Sequence, residues 1–375
     1  MSTRVVIAPD SFKGSCPAAD AARALADGWR SARPGDDVIL RPMADGGEGT
    51  IDAFATAVPD ARRMPVRVTG PAAMPVDAVW LLLPPSDDAP GGTGVVELAS
   101  TSGIELLSAG LRGRDASTLG FGQAIRAALD HGVSRLILGI GSSASTDGGI
   151  GALTALGARF TDPYDLSIPP GAAGLDELAK ADLTRLRPAP DGGVLVLTDV
   201  TNPLTGPRGA AAVFGPQKGL GAEEIARADA GLARLATLLD ADPETPGAGA
   251  AGGTGFGLRA WGARLAGGAA EIAELTGLAG AIDGADVVIT GEGSFDGQSE
   301  AGKTPSFVAG LARAAGARVV VVAGRIADDV DTDGIHAVSL TELAGSGDAA
   351  MTGARHWLHE AGERIAREGK DDRWS

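Results

Sequence analysis

The chain has 375 residues, 44% apolar and 21% charged, with 57 glycines, few aromatics and a net charge of -16. That length favours two hydrophobic cores over one, and the acidic surplus excludes a nucleic acid or an anionic membrane as partner, since both need a basic face. The single Cys16 rules out an internal disulfide and fits a reducing compartment, the cytoplasm by default; no apolar run approaches the roughly 20 residues of a membrane span, and the amino terminus lacks a basic-then-apolar leader.

Short β-branched runs alternate with alanine-rich stretches from the start of the chain. Residues 5–8 predict a strand, 18–31 a helix, 38–40 a strand and 49–57 a helix. The texture then changes. Residues 67–68, 78–83 and 95–98 are strand-like with Pro and Gly breaks and no helix between them, which implies a β-rich insertion. Buried strands follow at 136–138 and 194–197, then a helix at 223–239, while PETPGAGAAGGTGFG (243–257) has the composition of a flexible loop. The first rhythm returns with strands at 287–289, 319–322 and 336–340, a helix at 306–315 and a last helix at 349–367, ahead of a frayed tail. These elements imply an α/β fold: a discontinuous doubly wound, Rossmann-like domain with a mostly parallel sheet (1–60 and 283–375), carrying an inserted central α+β domain (61–282). In an open parallel sheet, loops leaving the carboxyl ends of the strands converge on ligand. The chemistry is expected there.

The first such loop, PDSFKGS (9–15), offers Asp10, Ser11 and Lys13; Lys13 is either an anion ligand or an ordinary solvated lysine. PMADGGEGT (42–50) brings Asp45 and Glu48 beside paired glycines. Their carboxylates suit Mg²⁺, or else they form an Asp-Gly turn with a helix-start glutamate. GIGSSASTDGGIGAL (139–153) joins glycines to hydroxyls and runs into a helix near Gly148, so Ser143, Asp147, Gly148 and Gly149 are candidates for a phosphate cradle. Gly139-x-Gly141-x-x-Ala144 also fits a dinucleotide fingerprint loosely, but the turn and cap residues at 142–147 favour the cradle. In TDVTNPLTGPRGAAAVFGPQKG (198–219), Asp199 closes a buried strand and is followed by Asn202, Arg208 and Lys218. A general base or metal ligand belongs at such a place; the alternative is a turn residue.

ADVVITGEGSFDGQSEAGKTP (285–305) holds Glu292, Asp296 and Lys303, and contains the formal phosphate-loop string Gly297-x-x-x-x-Gly302-Lys303-Thr304. With the apolar run ending at Ile289, the string lies too far beyond its strand, and Lys303 is better taken as one charge among several. The four histidines offer no triad, no nucleophile elbow occurs, and no cysteine pair suits zinc. Hydrolase and zinc readings fall away. The five loops share one composition, as expected for the lining of a site for a phosphorylated nucleotide, a divalent metal and a small anion.

In this order, PDSFKGS, PMADGGEGT, SSASTDGG, TDVTNPLTGPRGAAAVFGPQKG and ITGEGSFDGQSEAGKTP resemble the bacterial type 1 glycerate kinases over nearly the whole chain. The resemblance implies ATP-dependent phosphorylation of D-glycerate with Mg²⁺, usually at the 2-hydroxyl to give 2-phosphoglycerate, in a site between two domains. It makes Asp199 the candidate acceptor of the hydroxyl proton, with Asp45, Glu48 and Asp296 competing as base or Mg²⁺ ligand and Glu292 a further metal candidate. Lys13 and Lys303 would neutralise phosphoryl or carboxylate charge, and Ser11, Asn202, Arg208 and Arg325 would contact substrate or phosphate. Ser294 and Phe295 stand where the family often has Arg and Leu, and Thr146 where it often has Asn. The anion contact of that arginine would then fall to Arg208, Arg325 or Lys218. A 3-hydroxyl product, another hydroxy acid, an NAD(P)-dependent oxidoreductase and a non-catalytic sensor stay as alternatives.

Overall fold

The computed structural model describes residues 2–295, 304–327 and 334–369. Among them run thirteen strands: β1 (Arg4–Ile7), β2 (Asp37–Leu40), β3 (Arg62–Thr69), β4 (Pro75–Leu83), β5 (Thr93–Glu97), β6 (Arg135–Gly139), β7 (Arg159–Thr161), β8 (Lys180–Asp182), β9 (Val194–Leu197), β10 (Arg264–Ala266), β11 (Val287–Phe295), β12 (Arg318–Ile326) and β13 (Ile335–Ser339). The chain divides into two units, one of Met1–Ala44, Asp52–Pro59 and Ala269–Ser375, the other of Asp45–Ile51 and Asp60–Gly268.

The first unit is built on a five-stranded sheet of order β13-β12-β11-β1-β2, parallel throughout. Val5, Val6, Ile7, Val288, Ile289, Val320, Val321 and Val322 are all fully buried. Unbroken apolar runs of this kind are what a parallel sheet covered on both faces requires. The helix Ala18–Ala32 lies against the helix Ala354–Glu368, and Leu25, Trp29, Leu358 and Ile365 join the core on that side.

The second unit carries a six-stranded sheet of order β10-β9-β6-β5-β4-β3. Strands β5, β6, β9 and β10 run parallel, whereas β4 pairs antiparallel with β5 and β3 antiparallel with β4 at the sheet's edge. The antiparallel edge matches the β-rich insertion expected from the sequence. Phe121, Ile125, Leu138, Val196, Leu232 and Phe256 centre its core, and β7 pairs with β8 in a small separate ladder. Asp45–Ile51 belongs to this unit because Gly46 O accepts the Gly141 amide and Glu97 accepts the amides of Gly49 and Ile51; the sequence cuts at residues 61 and 283 leave it in the other. No helix among the described residues is long and apolar enough to cross a membrane.

Three local expectations are overturned. β11 does not stop at Ile289; it stays in register with β12 as far as Phe295↔Ile326, and Thr290 Oγ1 donates to Ala8 O inside the sheet. The phosphate-loop string therefore begins just after a strand end, with the helix Thr304–Ala314 behind it, which removes the distance argument against it; Asp296, Gly297, Gly302 and Lys303 themselves lie outside the described residues. The run at 243–257 is not a flexible loop. It enters the helix Ala250–Ala260, interrupted by left-handed Ala251, Gly252 and Gly253, and a Cβ on Gly252 would stand 2.1 Å from Ser145 O. Glycine there permits close packing instead of motion. Finally, the last helix breaks at Gly353 into Gly347–Thr352 and Ala354–Glu368.

Candidate active site

In the second unit the parallel strands end together at Glu97, Gly139, Leu197 and Ala266, and Asp45–Ile51 runs across those ends. Gly46, at φ +88°, is pressed so closely on the strand end that a Cβ would stand 2.3 Å from Leu197 O. Its carbonyl accepts the Gly141 amide at 2.9 Å. Glu97 is 5% exposed, and its carboxylate accepts the Gly49 amide at 3.3 Å and the Ile51 amide at 3.1 Å, where negative charge meets the positive end of the helix Thr50–Ala57. Sequence reasoning passed over Glu97. Its signal was a lone carboxylate closing the apolar strand TGVVE.

This anchoring places two carboxylates around one residue. Asp45 Oδ1 accepts the Gly47 amide at 2.9 Å, and Asp199 Oδ1 accepts the Gly268 amide at 2.8 Å. Gly268 in turn abuts Asp45, since a Cβ on it would stand 2.4 Å from Asp45 O. Asp45 is half-buried, and Asp199 and Glu48 are exposed. Asn202 Nδ2 donates to Arg208 O at 2.7 Å, which closes the turn that presents the exposed Arg208; Asn202 thus shapes the loop that carries the cation.

The hydroxyl loop after β6 is built differently from the expected cradle. Asp147 is fully buried and accepts from the Thr118 amide and hydroxyl, both at 2.9 Å, and from the Gly149 amide at 3.1 Å. Burial pushes its carboxyl up, while those donors from Thr118, Gly149 and Gly151 pull it back. The Gly148 amide donates to Gly252 O, and a Cβ on Gly148 would meet Leu235 at 2.4 Å. Asp147, Gly148 and Gly149 are therefore scaffolding: their polar groups are spent inside the unit, against the expectation that they hold phosphate. The helix starts only at Ile150, too late for the dinucleotide fingerprint at Gly139. Ser143 is buried, and its Oγ accepts from Lys218 Nζ at 2.8 Å. Lys218 is itself 2% exposed, so it is not the surface anion contact considered from the sequence. Burial pulls its ammonium down to about 7, with the Asp147 charge opposing.

The first unit gathers a second group at the ends of β1, β11 and β12. The Asp10 amide donates to Gly291 O at 2.8 Å, Asp10 Oδ1 accepts the Ser11 amide, and a Phe12–Cys16 bridge closes the turn that presents exposed Lys13. Gly293 lies beside that turn, 3.5 Å from Lys13 N at its Cβ position. Glu292 is half-buried on β11; Arg325, exposed on β12, pairs in register with Ser294. Cys16 sits under the turn, where burial raises its thiol to about 11 and keeps it unreactive. The sequence candidates thus form two groups, Asp45, Glu48, Asp199, Asn202 and Arg208 in one unit and Ser11, Lys13, Glu292 and Arg325 in the other.

The profile of the glycerate kinase family matches residues 5–370. A glycerate kinase of Bacillus subtilis is 39% identical over 97% of this chain and 96% of its own length, and a glycerate 2-kinase of Escherichia coli is 40% identical over 97% of each. The chain belongs to the glycerate kinase family. A crystal structure of a protein from Salmonella typhimurium LT2, assigned as glycerate kinase 2, superposes with a TM-score of 0.82 at 36% identity and covers 100% of both chains.

Membership of this family makes the protein a phosphotransferase acting on an alcohol, and that reaction rests on positioning and charge neutralisation more than on covalent chemistry. The donors present fit Mg²⁺, which takes hard oxygens and is held by one or two carboxylates together with substrate phosphates and water. Asp45 and Glu48, on one segment at the strand ends, are the candidates for such a pair. Among the described residues the one three-ligand cluster is His359, Glu360 and Glu363, on the surface of the last helix, where Glu363 already pairs with Arg367. It is no part of this site.

Proposed function

We propose that the enzyme phosphorylates D-glycerate at the 2-hydroxyl with ATP and Mg²⁺, releasing 2-phosphoglycerate and ADP. The observation that carries this reading is the pair Asp45 and Asp199 around Gly268 at the strand ends. Asp199 takes the hydroxyl proton as the alkoxide oxygen bonds to the γ-phosphorus and the bond from that phosphorus to the β–γ bridging oxygen breaks, leaving the electron pair on ADP. The Gly268 amide fixes the carboxylate's direction without neutralising it. Asp45, with Glu48 on the same segment, would hold Mg²⁺, which when bound offsets charge on the phosphate oxygens; Glu292 is a separate metal candidate within the first unit. On a chain of net charge -16, two anionic substrates need local cations. Lys13, Arg208 and Arg325 are exposed for that task, and Arg325, in register with Ser294, stands in for the arginine that this chain lacks. Asp296 and Lys303 enter only on the strength of their motif.

The test is purified enzyme with ATP, Mg²⁺ and D-glycerate, its product passed to enolase. Immediate phosphoenolpyruvate is the expected result. A need for added mutase means transfer to the 3-hydroxyl and overturns the regiochemistry, whereas no glycerate-dependent ADP overturns the substrate.

A further inference from the structure

Lys218 lies in a 3-10 turn, Pro216–Lys218, and is among the largest fully buried side chains of the protein. Its Nζ donates to Ser143 Oγ at 2.8 Å and to Ser145 O at 2.5 Å, so one ammonium spans the turn that leaves β6. The other hydroxyls of that turn do not hold it, because Ser145 Oγ and Thr146 Oγ1 are buried without a hydrogen-bond partner. Backbone contacts hold the opposite side: the Ile104 amide donates to Ser142 O at 2.9 Å and the Ala144 amide to Ser102 O at 3.1 Å. Between these two clamps sits Ser142, exposed and at φ +57°. A left-handed serine costs energy and persists only where its surroundings over-determine it. Ser142 Oγ lies 3.8 Å from the Cβ position of Gly47, next to the turn that orients Asp45.

We propose that Lys218 is a positioning residue for phosphoryl transfer: by holding Ser143 and Ser145 it keeps Ser142 in its left-handed conformation against the Asp45–Gly47 turn. This rests on the reading of that turn as part of the active site. A solvent-facing contact would be replaceable by many side chains; a buried ammonium is not, since burying it is costly unless its donors are used. The contact sets geometry at the reacting end, where misplacement by about 1 Å costs on the order of 100-fold in rate.

The experiment is steady-state kinetics with ATP and D-glycerate on the full-length wild type, K218M, S143A, S143T and K218M/S143A, with folding followed by circular dichroism. K218M is expected to lose about 100-fold in kcat with KM values changed far less. S143A, which removes only the acceptor, should lose less, S143T should recover most of that loss, and the double variant should be no worse than K218M. A folded K218M within threefold of wild-type kcat, or losses that multiply in the double variant, overturns the proposal. Should K218M not fold, S143A decides: wild-type kcat there overturns it, and a loss recovered by S143T sustains it. A wild type without glycerate-dependent turnover instead overturns the functional reading beneath it.

Discussion

The strand ends of the two units present polar groups in opposite ways. In the first unit Lys13 and Arg325 are exposed, Ser11 and Glu292 half-exposed, and they are carried on a turn and on the strands themselves, over a sheet whose core is largely apolar and buries no charged side chain among the described residues. In the second, exposed Asp199 and half-buried Asp45 rest on a layer of buried polar groups, Glu97, Asp147, Ser143 and Lys218. Burying such groups stabilises the fold only when every donor and acceptor is matched. Side chains of the first group can be exchanged without disturbing their scaffold. Those beneath the second group hold backbone and chemistry together, so their loss reaches both stability and rate.

The sharpest test of that contrast is Asp199→Asn. The amide oxygen can still accept from Gly268, so the fold should stand, while the proton acceptor is gone; kcat should fall by about 10²–10⁴ with an unchanged melting temperature. Near-normal turnover would assign the base elsewhere. Glu97→Gln probes the layer below. Replacing the carboxylate by a neutral amide weakens the charge-assisted bonds to Gly49 and Ile51 and leaves a buried NH₂ to satisfy, a cost of about 1–3 kcal/mol read by urea unfolding, with a parallel loss of kcat as the Asp45 turn loosens. Activity lost at full stability would contradict its role as an anchor. Lys13→Ala belongs to the other side of the comparison: kcat/KM should drop by roughly tenfold, the scale of one hydrogen bond to a charged group, and the unfolding midpoint should stay put. A change in stability there would show that the first group is not independent of its scaffold.

How much of this was visible in the sequence follows from the same contrast. Runs such as Val5–Ile7 and Val194–Leu197 announced their strands because parallel sheets demand apolar residues on both faces. The continuation of β11 through Gly291, Glu292, Gly293 and Ser294 carried no such signal; pairing with β12 imposes it. Glycines at 247–257 signalled flexibility by composition, whereas their role is contact with Ser145 and neighbouring backbone. The exposed candidates Lys13 and Asp199 and the half-buried Asp45 were legible because strand-exit loops advertise them. Asp147 and Lys218 were placed correctly in loops but wrongly at the surface, since a residue's letter does not report its burial. Glu97 was hidden by the strand it ends.

The buried layer also makes the smallest of these effects measurable, through protons. Burial brings Lys218 from 10.5 in the open chain to about 7 in the folded protein, so between those values the unfolded chain binds the extra proton. Stability must then rise with pH across that window, fastest above pH 7 and ending near 10.5, by about 1 kcal/mol between pH 7 and 8. Below pH 7 both states are protonated, and the full cost of the buried charge is carried. K218M removes the titrating group, so the difference in urea midpoint between wild type and K218M should grow with pH in favour of the wild type. A difference independent of pH from 7 to 9 would mean that solvent reaches the ammonium, and the two sets of strand ends would then be more alike than their burial indicates.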